Sequence, residues 1–371
     1  MKNTGMPARR LTAGCIWNSF KSSGRRHLIV TGGRKSGKTT LLGELAGFLG
    51  EDRPVWGITT WAEPGKAVYL RDNTTGQTAL TGIFDPGLPG PENRMRTVEE
   101  GFLGLGLQAL SRCVQGKKEW AVIDEIGYLE SGCEKYCQAI RDLMEKKRIA
   151  AVVRRQSLPF LEELCRRRDV FLVDLDSPFS HLGCVIMASG QGKRFGGNKL
   201  MADFGGKPLI QWGLDASEGI FDYRMVVTRH REIEELCRSQ RISACFHDLP
   251  FRSDTVRLGL EGAPAGLKGI LFIPGDQPLL KKETVVSLAL CASACPERIW
   301  RASWEGQGGS PVLFPAWTFH ELRHLTQGQG GSQVIKRHPG CVGLLPVKNP
   351  VELMDADRQE DLKRLEKYLR P

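Results

Sequence analysis

Residues 187–200 read Met-Ala-Ser-Gly-Gln-Gly-Lys-Arg-Phe-Gly-Gly-Asn-Lys-Leu and follow the apolar run Cys184-Val185-Ile186. A run of that length reads as a buried strand. The glycines at 190, 192, 196 and 197 let backbone amides turn inward without Cβ clashes. Arg194 and Lys199 add two cations to the same loop, and a strand ending in such a turn suits a nucleoside triphosphate. A second glycine-rich loop of a different kind, Gly32 to Thr39, lies far upstream. Two unlike phosphate loops, each after its own apolar strand, require two α/β domains on one chain. The 371 residues provide for that, at roughly 100–200 residues per domain.

A hydrophobic content of 41% and a charged content of 25% are those of a globular chain. No apolar run reaches the ~18 residues of a membrane span. The first 26 residues lack the apolar stretch of a signal peptide, so a cytoplasmic location is expected. The net charge of +10 is uneven: residues 1–38 hold nine Lys or Arg and no acid. Such an arm could contact nucleic acid. The plainer reading, preferred here, is a disordered basic tail over residues 1–26, with no nucleic-acid partner and no membrane. The eleven cysteines contain no Cys-x-x-Cys. Cys133/Cys137 and Cys291/Cys295 stack on helix faces without matching ligand partners, and read as reduced, packed thiols.

Alternation along the chain predicts α/β architecture twice. In the first half, strands are expected at 27–31, 55–59, 67–70, 119–125, 150–153 and 170–173. Helices are expected at 39–48 and 98–114, with a Pro/Gly-rich loop at 83–93 and a mainly parallel sheet. A linker is placed at 179–182, at the end of the polar stretch Asp174 to His181. A second alternation begins at Gly183, with strands near 184–188, 223–228, 269–274 and 311–314, giving domains at 27–178 and 183–371.

Gly32-Gly33-Arg34-Lys35-Ser36-Gly37-Lys38-Thr39 fits G-x-x-x-x-G-K-[ST] without mismatch, between a strand and a helix. Its amides, with Thr40 at the helix start, would cradle phosphates of ATP or GTP. Lys38 would reach the β- and γ-phosphates, and Thr39 would ligate Mg²⁺. Asp124 closes an apolar strand and would hold Mg²⁺ through water; Glu125 could orient or deprotonate the attacking water. Two surface acids after a strand is the plainer alternative. Asp124-Glu125-Ile126-Gly127, with this loop, resembles a small P-loop nucleoside-triphosphatase family with an Asp-Glu-Ile-Gly Walker B. That resemblance covers about 27–178 and implies NTP hydrolysis. A P-loop adaptor assisting a molybdopterin nucleotidyltransferase is the competing kinship. Arg154, Arg155 and Arg166 to Arg168 are candidates for an arginine finger, and read more plainly as helix-surface charges.

The loop at 187–200 resembles the nucleotidyltransferases that build molybdopterin dinucleotides, in the Arg-Phe-Gly-Gly-Asn-Lys-Leu form of the molybdenum cofactor cytidylyltransferases. Gly205-Gly206-Lys207-Pro208-Leu209, Ser253 to Leu260, Gly275-Asp276-Gln277-Pro278, Gly309-Ser310-Pro311-Val312-Leu313-Phe314 and Asp355 to Leu362 are similar to later motifs of that group, in order. The resemblance implies a Rossmann-like (GT-A-like) three-layer fold that moves CMP from CTP to the molybdopterin phosphate, with pyrophosphate leaving. Ala188, Ser189, Gly190, Gln191, Gly192, Ser253 and Arg257 would contact the nucleotide. Arg194 and Lys199 would neutralise charge, and Asp276 would hold Mg²⁺. Plainer readings stand beside these: Asp276 as a cap of the helix near Lys281, Arg257 paired with a helix acid, Asp355 and Asp357 as caps. The chain departs from the pattern at Gln329, where the group commonly has Asp, at Asp254 and at Ser189. Guanylyl transfer from GTP, or transfer to another phosphorylated acceptor, remain open, as does a first half that only binds nucleotide and delivers cofactor. An apo molybdenum hydroxylase would be the recipient.

Overall fold

In the first half, β1 (His27–Thr31) is buried at every position, as expected of a strand covered on both faces. The computed structural model describes residues 11–50, 56–88, 94–192 and 194–369. The first ten residues of the basic arm, Val55 and residues 89–93 of the Pro/Gly-rich loop lie outside them. The chain parts into two compact units between Pro178 and Phe179.

Unit one holds β1, β2 (Gly57–Glu63), β3 (Ala67–Asp72), β4 (Thr78–Phe84), β5 (Met95–Thr97), β6 (Trp120–Ile126), β7 (Arg148–Val153) and β8 (Val170–Asp174), in the order β5-β4-β3-β2-β6-β7-β1-β8. From β2 to β8 across the sheet every pair is parallel; β3, β4 and β5 add as an antiparallel meander. The sheet is therefore mainly parallel, as expected, with an antiparallel edge. The expected helix at 98–114 is broken by a widened turn over Phe102–Gly106, between helices Glu99–Gly101 and Leu107–Gln115.

The expectation of a disordered arm is overturned for residues 13–23, which form a helix. Thr12 caps it by accepting from the Cys15 amide at 3.2 Å. Gly24, at φ 71°, ends it in the left-handed region. Ile16, Ser19, Phe20 and Ser23 face inward at i, i+3, i+4 and i+7. Phe20 meets Trp120 and Phe171 edge-on at 5.7 and 6.0 Å, while the Arg148 guanidinium lies over Trp120. That aromatic face outweighs the local positive charge.

Unit two holds β9 (Leu182–Ala188), a two-strand ribbon β10 (Asp203–Phe204) and β11 (Lys207–Pro208), then β12 (Tyr223–Thr228), β13 (Ser243–Phe246), β14 (Gly269–Pro274), β15 (Ile299–Trp304), β16 (Gln307–Pro315) and β17 (Val342–Pro346). The main sheet runs β13-β12-β9-β14-β16-β15-β17, parallel from β13 to β14 and antiparallel around β16. β9 and β14 lie side by side, with Pro274 opposite Met187. The loops after both strands therefore leave the same sheet edge, where α/β ligands bind. Among the described residues no helix is long and apolar enough to cross a membrane.

Candidate active sites

In unit one, β1 delivers the loop Gly32–Gly37 directly into helix Lys38–Ala46. Gly37 stands at φ 89° at the N-cap, a conformation a side chain would strain. The Lys38 ammonium folds over the loop and donates to the Gly32 and Gly33 carbonyls at 3.0 and 2.5 Å. Burial, then the nearby Arg154 charge, hold its pKa below the usual lysine value. The Thr39 hydroxyl donates to the Asp124 carboxylate at 3.1 Å, and burial raises the Asp124 pKa. A hydroxyl and a carboxylate at the phosphate loop are the hard oxygen donors Mg²⁺ takes from protein, the rest coming from phosphate and water. The pair fits that ion, although the described residues contain no cluster of three acidic, His or Cys ligands.

Glu125 sits where the β6–β7 register shifts, at φ 92°. Holding a non-glycine residue there costs on the order of 1–3 kcal/mol. The bulge turns Glu125 into a cavity of about 350 Å³ that Arg34 of the phosphate loop and Arg154 also line. There Glu125 and Arg154 form an ion pair. Of the candidate arginines, Arg154 reaches this site. Arg155 binds Asp174 and Asp176, Arg166 binds Glu162, and Arg167 binds Glu145 and Asp169. The sequence reading missed Asp176, whose carboxylate accepts from the Gly33 amide at 2.7 Å and marks an anion position on the loop. Lys35, Ser36 and Thr40 sit on the loop and first helical turn; the Ser36 hydroxyl lies 3.5 Å from the Lys38 ammonium.

In unit two, Ala188 ends β9 and the loop turns sharply at Gly192, φ 59°. A Cβ there would lie 2.1 Å from the Gly197 carbonyl oxygen, because the loop doubles back on itself. The Ser189 hydroxyl donates to the Val227 carbonyl at 3.1 Å and lies 2.8 Å from His247 Nε2. His230 Nε2 is 2.9 Å from the Gly190 carbonyl. Neither histidine was singled out in the sequence. His247 is buried, and its Nδ1 has no hydrogen-bond partner among the described residues.

Lys199 is buried and donates to Asp276 at 2.6 Å and to Asp357 at 2.8 Å. Burial alone would lower the lysine pKa, but the two carboxylates outweigh it and hold the pKa up. The Lys199 hydrogen bond in turn lowers the Asp357 pKa, to which Arg194 also contributes. Asp276 follows β14, and its carbonyl accepts from the Ala356 amide at 2.9 Å, which brings residues 355–357 to the site. Asp355 accepts from Gln277 at 3.0 Å. The cap readings fail for these acids. Asp361 caps the Asp357 and Arg358 amides, and the N-cap Lys281 takes no side-chain cap. Two carboxylates on one ammonium, with Asp355 nearby on Gln277, leave net negative charge, which fits a divalent cation on Asp276.

Ser189, Gly190, Gln191, Asp276 and Asp355 line a cavity of about 490 Å³. Arg229, Arg252 and Thr255 complete it, where the sequence pointed to Ser253 and Arg257. Ser253 is buried, and Arg257 pairs with Asp254 and Glu261 on its own helix at 3.4 and 2.9 Å. Helix Arg252–Glu261 presents its first and fourth residues to the cavity, a phase that the motif alone did not specify.

Comparison with known proteins assigns each unit a class. The family model described as NTPase matches residues 27–178, and that described as MobA-like NTP transferase domain matches residues 184–342. The chain joins an N-terminal NTPase domain of the THEP1 kind to a C-terminal MobA-like NTP transferase domain, both α/β. The nucleoside-triphosphatase THEP1 of Thermotoga sp. (strain RQ2) is 27% identical over 155 residues, 40% of this chain and 86% of that protein. The probable molybdenum cofactor guanylyltransferase of Aquifex aeolicus (strain VF5) is 27% identical over 103 residues, 28% of this chain and 50% of that protein. The crystal structure of Rv0371c from Mycobacterium tuberculosis H37Rv superposes with a TM-score of 0.45 at 22% identity, covering 50% of this chain and 97% of that one.

Proposed function

We propose that unit two transfers CMP from CTP to the phosphate of molybdopterin, releasing pyrophosphate, and that unit one hydrolyses a nucleoside triphosphate. The Lys199 bridge between Asp276 and Asp357, beside the Gly190–Gly192 turn, carries the first part. The acceptor phosphate is already an anion, so the reaction asks for positioning and charge neutralisation rather than a strong base. An acceptor oxygen bonds to the α-phosphorus as the bond to the β-phosphate oxygen breaks. Amides of the 189–192 turn hold the triphosphate; Arg194 and Lys199 balance charge that moves onto pyrophosphate. Mg²⁺ held by Asp276 would neutralise phosphate charge when bound. Leu200 after the loop lysine supports CTP; the Aquifex relative's name favours GTP as the second reading. A cytoplasmic location and delivery to an apo molybdenum hydroxylase complete the proposal.

In unit one, Lys38, the loop amides and Mg²⁺ on Thr39 and Asp124 would hold ATP or GTP, with Glu125 orienting water. The Glu125–Arg154 ion pair favours, as a second reading, a module that binds nucleotide without turnover.

The test separates the two products. Asp276→Ala and Lys199→Ala should lower pyrophosphate release by about 10²–10³ and leave orthophosphate release intact; Lys38→Ala should do the reverse. Transfer that survives both changes in unit two contradicts the site. Negligible hydrolysis with tight nucleotide binding would leave the delivery reading for unit one.

A further inference from the structure

Beside the 490 Å³ cavity of unit two lies a smaller one of about 110 Å³. The two share Met187, Arg252, Pro274 and Ser310 as walls, so one opens along the other. The smaller space suits a single phosphate-sized group rather than a nucleotide. Arg301 reaches it from β15. Its Nε donates to the Gly309 carbonyl at 3.3 Å and its Nη2 to the Gly308 carbonyl, across the β15–β16 hairpin. Of the five guanidinium donors, those two bonds use two. Burial is the sole influence on the Arg301 pKa and lowers it. No carboxylate lies within ion-pair distance of Arg301 or Arg252 among the described residues. Most arginines in unit two that approach an acid are paired on the surface, as Arg231, Arg337 and Arg364 are. Gly330 packs 3.4 Å from the Arg252 side chain, measured from the position a Cβ would take, and neighbouring Gln329 brings no carboxylate to quench it. Two guanidiniums without a counter-charge, on one small cavity, make a preformed receptor for an anion.

We propose that Arg252 and Arg301 form the subsite for the acceptor's phosphate monoester. This rests on the nucleotidyl-transfer reading and adds which residues select the acceptor. The triphosphate loop and Asp276 line the larger cavity, and Arg252 stands on the wall common to both. A monoester gripped there presents an oxygen toward the nucleotide, while Arg301 fixes it from the far side. Phosphate also belongs to the nucleotide itself, so the experiment must separate the two sources.

Inorganic phosphate is the probe, titrated calorimetrically into the full chain with and without saturating CTP. Arg252→Gln, Arg301→Met and Arg301→Lys are the variants. Arg252 lies exposed at a helix start, so its variant tests the idea even if the hairpin tolerates Arg301→Met poorly. The expected result is phosphate binding that persists with CTP present. Each charge-removing change should weaken it roughly tenfold or more, Arg301→Lys less, and in Arg301→Met, whose side chain lines only the smaller cavity, CTP affinity should stay within about twofold. Loss of phosphate binding on adding CTP, or equal loss of CTP affinity in the variants, would show that the arginines hold the nucleotide's own phosphates and would overturn the proposal. Unchanged phosphate affinity in Arg252→Gln and Arg301→Met would overturn it as well. If phosphate binds as expected but no triphosphate yields pyrophosphate with phosphate-monoester acceptors, the anion site stands and the transfer reading falls.

Discussion

Replacing Lys199 by Met keeps the stem and removes the ammonium between Asp276 and Asp357. The side chains of Lys199, Asp276 and Asp357 are 10%, 22% and 51% exposed. Breaking a fully buried ion pair costs about 3–5 kcal/mol, because the remaining charge stays buried. Water screens Asp357, so most of the cost falls on Asp276, and about 2–3 kcal/mol is expected for unit two. Hydrogen exchange of the Ile270–Ile273 amides reads this locally, since β14 carries Asp276 at its end. Adding Asp276→Asn to Lys199→Met should recover most of the protection, and Asp357→Asn little. Pyrophosphate release should stay depressed by about 10²–10³ in all three proteins, because restoring stability does not restore the charge. Unchanged protection in Lys199→Met, or transfer activity that returns with the second substitution, would refute the reasoning.

Other consequences follow from the same structure. Gly192→Ala puts a Cβ 2.1 Å from the Gly197 oxygen at a positive φ, so the nucleotide KM for pyrophosphate release should rise at least about tenfold, or roughly 1.4 kcal/mol, with orthophosphate release unaffected. Phe20→Ala empties a site 1% exposed against Trp120 of β6 and Phe171 of β8 and should cost about 3–5 kcal/mol, seen as a lower melting transition of unit one; an unchanged transition would mean that helix 13–23 contributes nothing. His27 is fully buried, its Nδ1 accepts from the Ile149 amide, and burial lowers its pKa to about 4 against 6.5. Between those values the unfolded chain binds the extra proton, so the stability is full above pH 6.5 and is lost as pH falls toward 4, by about 3 kcal/mol. His27→Gln should flatten that part of the pH dependence of Leu28–Val30 amide exchange.

The phosphate loops and their strands were legible because each is local: a few glycines, a cation and an apolar run contiguous in sequence. Lys38, Thr39 and Asp124 were singled out by pattern alone, and the fold places the Thr39 hydroxyl on Asp124. What escaped the sequence depends on distance along the chain. Lys199 and Asp357 are 158 residues apart, and the Asp276 carbonyl bond to Ala356 with the Gln277 bond to Asp355 brings them together. The motif pointed to Ser253 and Arg257, whereas Arg252 and Thr255 line the cavity, because a motif gives composition at a helix start but not the rotation of that helix. The N-terminal helix was hidden by its charge. Lys2, Arg9, Arg10, Arg25 and Arg26 flank it and Lys21 lies on it, which made the segment read as a basic arm, while Ile16 and Phe20 decide the structure. Of the antiparallel meander β3–β5 the sequence yielded only the strand at 67–70, because its strands pair outside any βαβ alternation.

The most direct test incubates the full chain with Mg²⁺, molybdopterin and each nucleoside triphosphate in turn, measuring pyrophosphate apart from orthophosphate. The account predicts pyrophosphate with CTP, lost in Asp276→Ala, and orthophosphate lost in Lys38→Ala. Pyrophosphate with GTP alone would keep the mechanism and transfer the product to the guanine dinucleotide. Orthophosphate without pyrophosphate from every nucleotide would contradict the assignment of unit two.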